Sequence, residues 1–457
     1  MADEGDGPIG DRDQSLRASF ARDASGLEMI PDAVARPQSV SEAIDTVRAA
    51  TSRGTPVTPA GSQTSTTGAS ITESGLLLSL RGLDRIIDID PARRTARVEA
   101  GVLLGDLNRA AAAHGLFFAP DPTSEEESTV GGAIACNASG ARTMRYGPTR
   151  DHVRALKVVT ADGTLHDLHR RSHEKNTVGY AIAHQPVDWF VGSEGTLGVV
   201  VEAELALRRL PAQVTGLWVP FISIDDALTF VIAARASALL PRCLELFDAR
   251  AFAIVRDAAG QPGWAPAAQA IIYLEDISDA PPLDEWLALA EEHRGLVDEI
   301  HVADSDAALR EARMLRHAVP SFMNETGAAR RPFGGRKVST DWAVPHELLA
   351  VALRHAAEAV ASQRSPRPVV YGHAGNGHPH QNFIARDADE LERVQRAVEE
   401  TLHHVLRLGG TVAAEHGIGK LKRKWLPLQA TPMEIAVMRG LKNALDPRGL
   451  MAPGNVL

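Results

Sequence analysis

Three stretches of this chain are too poor in large side chains to build a core of their own. AGSQTSTTGAS runs from Ala60 to Ser70, GGAIACNASG from Gly131 to Gly140, and GSEGTLG from Gly192 to Gly198. Each follows or precedes a regular segment, where several backbone N–H groups can converge on a pyrophosphate without any lysine, provided bulky side chains stay out of the way. One such loop alone reads as an ordinary turn. Three within about 140 residues point to a bound phosphate diester. The common fingerprints are absent: no G-x-G-x-x-G follows a strand, and neither G-x-x-x-x-G-K-[ST] nor G-x-S-x-G occurs, which disfavours a Rossmann dehydrogenase and a serine hydrolase.

At 457 residues the chain exceeds what one core supports, so two lobes or more are expected. The 44% hydrophobic and 23% charged content is that of a soluble globular protein. Lys and Arg number 48 against 58 Asp and Glu, a balance of −10 that repels nucleic acid, so no nucleic-acid partner is expected. Cys136 and Cys243 are the only cysteines, too few for a disulfide framework or a cysteine-based metal or iron–sulfur site. No run reaches the length of a transmembrane helix, and the acidic start is unlike a signal peptide. The expectation is a cytoplasmic protein, with peripheral contact at the inner membrane left open.

Residues 1–28 lack apolar periodicity and are expected to form a mobile or loosely packed arm. Beyond Pro31 the pattern predicts a helix capped by Ser39 and Glu42, strands at 56–59, 76–80, 85–89 and 95–99, and a helix over 103–114. Residues 120–146 show no sustained period and read as a long functional loop. Strands are predicted at 153–160 and 164–168, and Gly192–Leu207 runs from a glycine turn into a strand. Pro211 marks a boundary. Past it strands and helices alternate, as in an antiparallel sheet covered on one side by helices.

The pattern PAGSQTSTTGAS, then FAPDPTSEEESTVGGAIACNASGARTMRYGPTRDHV, then VGSEGTLGVVVEAEL, resembles the FAD-binding domain of the vanillyl-alcohol-oxidase/p-cresol-methylhydroxylase (PCMH) flavoprotein superfamily over residues 31–210. The resemblance implies that the first loop wraps the FAD diphosphate, that T-V-G-G lies along the adenosine and diphosphate, and that N-A-S-G approaches the flavin. It marks Gly61, Ser62, Gly68, Pro120, Thr129, Gly131, Gly132, Asn137, Gly140, Gly195 and Gly198 as FAD contacts. Some relatives attach the flavin through histidine or cysteine. Residues 60–70 hold neither, and Cys136 reads as small buried filler, so non-covalent FAD is expected.

VVYGHAGNGHPHQNFI, Val369–Ile384, carries histidines at 373, 378 and 380. On one straight strand His373 and His380 would stand roughly 23 Å apart on opposite faces. Gly375, Asn376, Gly377 and Pro379 instead demand a tight turn that folds the imidazoles together, followed by a helix over 388–408 and a strand from Thr411 that can return Glu415 to them. Two imidazoles and a carboxylate with a position open suit a catalytic zinc or similar ion. Seventeen histidines make such a spacing common by chance, so the spacing alone does not establish a metal.

GHAGNGHPH with AEHGIGK and the ending LDPRGLMAPGNVL resembles the FAD-linked oxidase C-terminal domain of D-lactate, D-2-hydroxyglutarate and glycolate dehydrogenases, extending the likeness to residues 31–457. The resemblance implies His373, His380 and Glu415 as metal ligands, with zinc or manganese bound, His416 as the base, Asn382 as a polar substrate contact and Arg316 as the partner of the substrate carboxylate. Arg336 and Lys337 are weaker candidates for that last duty. The chain departs from the family's usual pattern at Asn376, where Asp is usual, at His378, where Asn is usual, at Pro379, and in the tail at Ala452–Asn455.

The fold implied is α+β: a PCMH-type FAD-binding domain of two α/β subdomains over 29–211, and a ferredoxin-like cap over 212–457 with a large antiparallel sheet covered by helices, residues 417–457 returning toward the FAD domain. The activity implied is FAD-dependent oxidation of a small D-2-hydroxy acid to its 2-oxo acid. Two alternatives stay open: a metal-independent FAD oxidase of another alcohol or sugar, and a flavin-binding subunit without catalysis of its own. With no iron–sulfur motif, electrons are expected to leave to a quinone, an electron-transfer protein or oxygen; a homodimer is one assembly state the sequence permits.

Overall fold

A computed structural model describes residues 9–457. Its contacts divide the chain into two units: one built from the chain up to Ser139, Gly147–Leu210 and Glu415–Leu457, the other from Gly140–Tyr146 and Pro211–Ala414.

The first unit holds two principal sheets. Strands Ala33–Ala35, Leu76–Ser79 and Val57–Ala60 form a parallel sheet with Leu76–Ser79 in the middle. The helix Val40–Ser52 lays Ala43, Val47 and Ala50 on Val57, Leu76 and Leu78. Ser39 Oγ accepts the Glu42 N–H at 3.2 Å, while the Glu42 carboxylate reaches back to the Gln38 N–H at 2.9 Å instead of to Ser39 itself. Antiparallel strands Ile86–Asp90, Thr95–Glu99, Val199–Ala206, Val153–Val159 and Leu165–His169 form the second sheet in that order. Its core joins Val98, Leu156 and Leu205 to Leu104 and Leu107 of the helix Leu104–Ala112.

The chain's last residues complete this unit. Val57 N–H donates to Leu450 O and Ala452 N–H to Val57 O, each at 2.8 Å, so the tail runs beside a strand of the parallel sheet. Both oxygens of buried Asp446 accept backbone N–H groups, Leu450 at 3.0 Å and Met451 at 2.7 Å, and Lys442 Nζ lies 2.6 Å from Oδ2. Burial works to raise the Asp446 carboxyl; the lysine and the two amides outweigh it and hold it below its usual range.

The second unit is a seven-stranded antiparallel sheet, ordered His301–Ala303, Thr215–Phe221, Ala270–Asp276, Pro241–Asp248, Val369–His373, His378–Asp387 and Gly334–Ser339. One face carries Cys243, Phe247, Ile271, Tyr273 and Val369 against the helices Ala249–Ala258 and Asp306–Ala328. On the other, Phe383 and Ala385 meet Val360, Val394 and Ala397 of the helices Leu349–Ser362 and Ala388–Arg407. Helices therefore cover both faces, not one. The strands show why: Pro241–Phe247, Ala270–Asp276 and Thr215–Phe221 are buried at every position, where a half-solvated sheet would alternate.

Three further segments differ from expectation. The described part of the N-terminal arm is packed: Gln14–Ser19 is helical, and Leu16 and Phe20 sit on Val34, Ala60 and Leu77; residues 1–8 lie outside the described residues. The supposed long loop contains the helix Val130–Cys136, hidden from periodicity because its residues are nearly all small. From Thr411 there is no strand, only a bridge to Ala343. Gly417 and Gly419, at φ of +71° and +51°, take the backbone out of the extended region.

Candidate functional site

In the first unit the three small-residue loops meet. A methyl group on Gly61 would lie 2.2 Å from Thr129 Oγ1, and the Thr64 and Ser128 hydroxyls are 3.1 Å apart. The third loop joins them through Gly192 N–H to Ile134 O at 2.9 Å and Glu194 N–H to Ala135 O at 2.8 Å. Gly195, at φ +76°, would set a Cβ 2.5 Å from Pro59. Their glycines are thus required by close backbone approach, as a cradle of amides demands.

Thr129 caps the helix Val130–Cys136 through Gly132 N–H, and Gly131 would place a Cβ 2.8 Å from that of Ala100. Asn137 ends the helix in the left-handed region, its side chain accepting Arg150 N–H at 2.9 Å. Gly68 sits at φ +79°, Pro120 is buried, and the Ser62 hydroxyl takes a bond from Arg81. Gly198 would bring a Cβ within 2.9 Å of Val159 O. Gly140 alone of the FAD candidates falls in the second unit, its N–H given to Thr143 Oγ1. Desolvation pushes the Cys136 thiol up to about 12, so it is no thiolate at neutral pH.

The tail stitches these loops together. Glu194, at φ +50°, accepts the Ile418 and Gly419 N–H groups at 2.7 Å each; burial lifts its carboxyl, and those two donors hold it down only in part. Asn455 Nδ2 donates to Ala69 O at 2.8 Å and Glu194 O at 3.1 Å, and Lys420 Nζ donates to Asn455 Oδ1 at 2.7 Å and Gly68 O at 3.0 Å. His416, half-buried, accepts the Thr67 hydroxyl on its backbone carbonyl.

In the second unit the hairpin Val369–His373, Gly377, His378–Asp387 sets His373 opposite His378 and Tyr371 opposite His380. Cross-strand partners share a face, and so do residues two apart, so the three imidazoles point the same way. Ring centroids lie 5.4 Å apart for His373 and His378, 5.3 Å for His373 and His380, and 4.5 Å for His378 and His380. With Glu415, the residue bonded directly after Ala414, they present four donor atoms all within 4.8 Å of one another.

Two carboxylates stand beside these rings, and the sequence reading picked out neither. Glu245 takes His373 Nδ1 at 2.8 and 3.0 Å on its two oxygens. A carboxylate can only accept, so Nδ1 carries the proton and Nε2 is left as the donor atom. Asp341 Oδ1 lies 3.4 Å from His378 Nε2, both residues buried. For Glu245 a signal existed: it is the one acidic residue inside the otherwise buried strand sequence PRCLELF. Asn382, on the same face two residues past His380, is fully buried with both amide atoms lacking a hydrogen-bond partner.

Arg316, on the helix Asp306–Ala328, gives Nη2 to Glu245 at 3.2 Å and lies over the Tyr273 ring, while its Nε has no partner. Burial works against its charge, and Glu245 and the other acidic groups around it more than restore it. Arg336 and Lys337 occupy opposite faces of their strand: Arg336 is exposed, and Lys337 is tied to Asn324. Among the described residues, no helix is long and apolar enough to cross a membrane.

Comparison with known proteins places this chain, with its glycine-stitched unit and its antiparallel unit bearing a histidine cluster, in a class of flavin-dependent oxidoreductases. Residues 31–169 match the FAD binding domain and residues 210–456 the C-terminal domain of FAD linked oxidases. The chain belongs to the FAD-linked oxidase family. It is 32% identical to glycolate oxidase subunit GlcD of Bacillus subtilis over 96% of this chain and 92% of that protein. To D-2-hydroxyglutarate dehydrogenase of Xanthomonas citri pv. viticola it is 33% identical, covering 93% and 89%. To D-lactate dehydrogenase of Archaeoglobus fulgidus it is 30% identical, covering 93% and 91%. Among solved structures, an alkyldihydroxyacetonephosphate synthase superposes with a TM-score of 0.68 at 17% identity over 93% of this chain and 77% of that one, a likeness of fold.

Proposed function

We propose that this FAD-linked oxidoreductase oxidises a small D-2-hydroxy acid, of the D-lactate, D-2-hydroxyglutarate or glycolate kind, to the 2-oxo acid. The observation that carries the proposal is the convergence of histidine donors and a carboxylate beside Asn382, a buried amide with no partner of its own. Buried polar groups are nearly always satisfied by protein, water or ligand, so the bare Asn382 amide beside the histidine donors is open to a substrate's polar groups.

The donor set fits a divalent ion, zinc or manganese, which His373, His380 and Glu415 would hold and which supplies the Lewis acidity that lowers the pKa of a bound hydroxyl. FAD, held without a covalent link by the loops around Gly61, Gly131 and Gly195, supplies the acceptor for the electron pair leaving the α-carbon. His416 takes the hydroxyl proton, as a neutral imidazole near pH 7 can. Asn382 gives its amide to the substrate's polar groups. Arg316 keeps a partnerless Nε for the substrate carboxylate while its Nη2 stays on Glu245. The electrons then pass to a separate acceptor: a quinone, an electron-transfer protein or oxygen.

Anaerobic mixing of the holoenzyme with D-lactate, D-2-hydroxyglutarate and glycolate should bleach the flavin with at least one of them, and prior chelation should prevent it. The variant His373→Ala is expected to keep the flavin spectrum, lose the metal and lose turnover. Full activity of that variant after chelation would sink the metal-assisted reading.

A further inference from the structure

We propose that His378 is a fourth protein ligand, so that this chain holds its ion with three imidazoles and one carboxylate. The inference rests on the metal reading above and goes beyond the three ligands that reading uses.

Three features of the site converge on it. The hairpin register makes His378 the direct cross-strand partner of His373 and places it two residues from His380, so its ring cannot leave their face without breaking the pairing. Its donor atom is within the same 4.8 Å as those of the other three. Metal–nitrogen bonds of 2.0–2.1 Å put tetrahedral donors about 3.4 Å apart and trans donors about 4.2 Å apart, so the widest pair must close by roughly 0.6–1.4 Å, up to about 0.7 Å per residue. Asp341 Oδ1 lies 3.4 Å from His378 Nε2, a buried charge contact, where Glu245 makes a hydrogen bond of 2.8 Å to His373 Nδ1. Such pairing fixes tautomer and ring direction and raises ligand basicity. For His373 it leaves Nε2 as the donor atom.

An asparagine at position 378 would offer a weak amide oxygen in place of an imidazole. With four protein ligands the ion meets a chelating hydroxy acid only by expanding to five or six coordination, so the site favours ions that do so readily, and binds them more tightly than three ligands would.

The test strips the holoenzyme of metal, retains FAD, and titrates it with Co²⁺ against a competing chelator, counting imidazoles on the bound ion by X-ray absorption. Wild type is expected to show three imidazoles. His378→Asn should show two, with affinity lower by about 10- to 100-fold or more, while flavin content and the far-ultraviolet circular dichroism stay unchanged. Asp341→Asn, which leaves all four donors in place, should keep three imidazoles with a smaller loss of affinity. A His378→Asn protein with Co²⁺ affinity within threefold of wild type and an unaltered imidazole count overturns the assignment. If wild type takes up no Co²⁺, both this inference and the metal-assisted reading fall. Should Co²⁺ bind through three imidazoles while no hydroxy acid bleaches the flavin, the ligand assignment stands and the proposed activity is what fails.

Discussion

Lys420 sits among groups that leave its ammonium poorly hydrated, with Gly68 O and Asn455 Oδ1 as acceptors, and burial lowers it from 10.5 to about 8. Below pH 8 the amine is charged in both folded and unfolded chains, and the folded one carries the desolvation cost. Above 10.5 both are neutral and the cost is gone. Stability of the first unit should therefore rise between pH 8 and 10.5, by about 2 kcal/mol once partial exposure is allowed for. Denaturant titrations at pH 8 and 10 check this: Lys420→Met should lack the rise, and an equal rise in the variant would refute the assignment. At this scale the sequence was half legible. The turn residues and the family resemblance together singled out His373, His380 and Glu415, whereas Asp341 lies in STDWAV, where nothing local distinguishes a buried carboxylate beside an imidazole from a solvated one. Arg316 was named for a substrate carboxylate; its contact with Glu245, 71 positions away, carried no local signal.

The hairpin that carries the three histidines depends on Gly377. It lies at φ +67°, and a Cβ there would stand 1.9 Å from Val344 O, a backbone atom that cannot yield cheaply. Gly409, at φ +75°, has nothing within 4 Å of its would-be Cβ. Gly409→Ala should cost about 1 kcal/mol, the left-handed penalty alone, and Gly377→Ala at least about 2 kcal/mol more, read as unequal falls in melting temperature. Equal falls would mean that the turn shifts to accept the methyl. Gly375, Asn376, Gly377 and Pro379 made this turn readable from composition, and the alternation of strand side chains then fixed which residues share a face. The short helix Val130–Cys136 escaped because glycine and alanine carry no periodic signal; its cap Thr129 and its left-handed end at Asn137 are the only marks it leaves. The strand expected from Thr411 failed for the opposite reason: TVAA promises extension, and the glycines after it spend the backbone on turns.

Across the whole molecule, two units imply two unfolding transitions, and Asp446 belongs to one of them. Asp446→Asn removes the charge that meets Lys442 while leaving a side chain of the same shape, and should destabilise the first unit by about 3 kcal/mol. Calorimetry should then show a single transition moving and the other fixed; movement of both by equal amounts would show that the units melt together. Helices on both faces of the seven-stranded sheet could have been read from the near-continuous apolar runs GLWVPF and AIIYL, which leave no wet side. The excursion of Gly140–Tyr146 into the second unit could not, since seven residues carry no marker of the unit they join. A different kind of consequence attaches to the tail, whose Leu450–Ala452 segment lies against Val57. During synthesis the strand at 57–60 emerges nearly four hundred residues before its neighbour, so the first unit stays an unfinished shell while the second, almost continuous in the chain, can mature. Translation order thus makes the earlier-encoded lobe the later one to close.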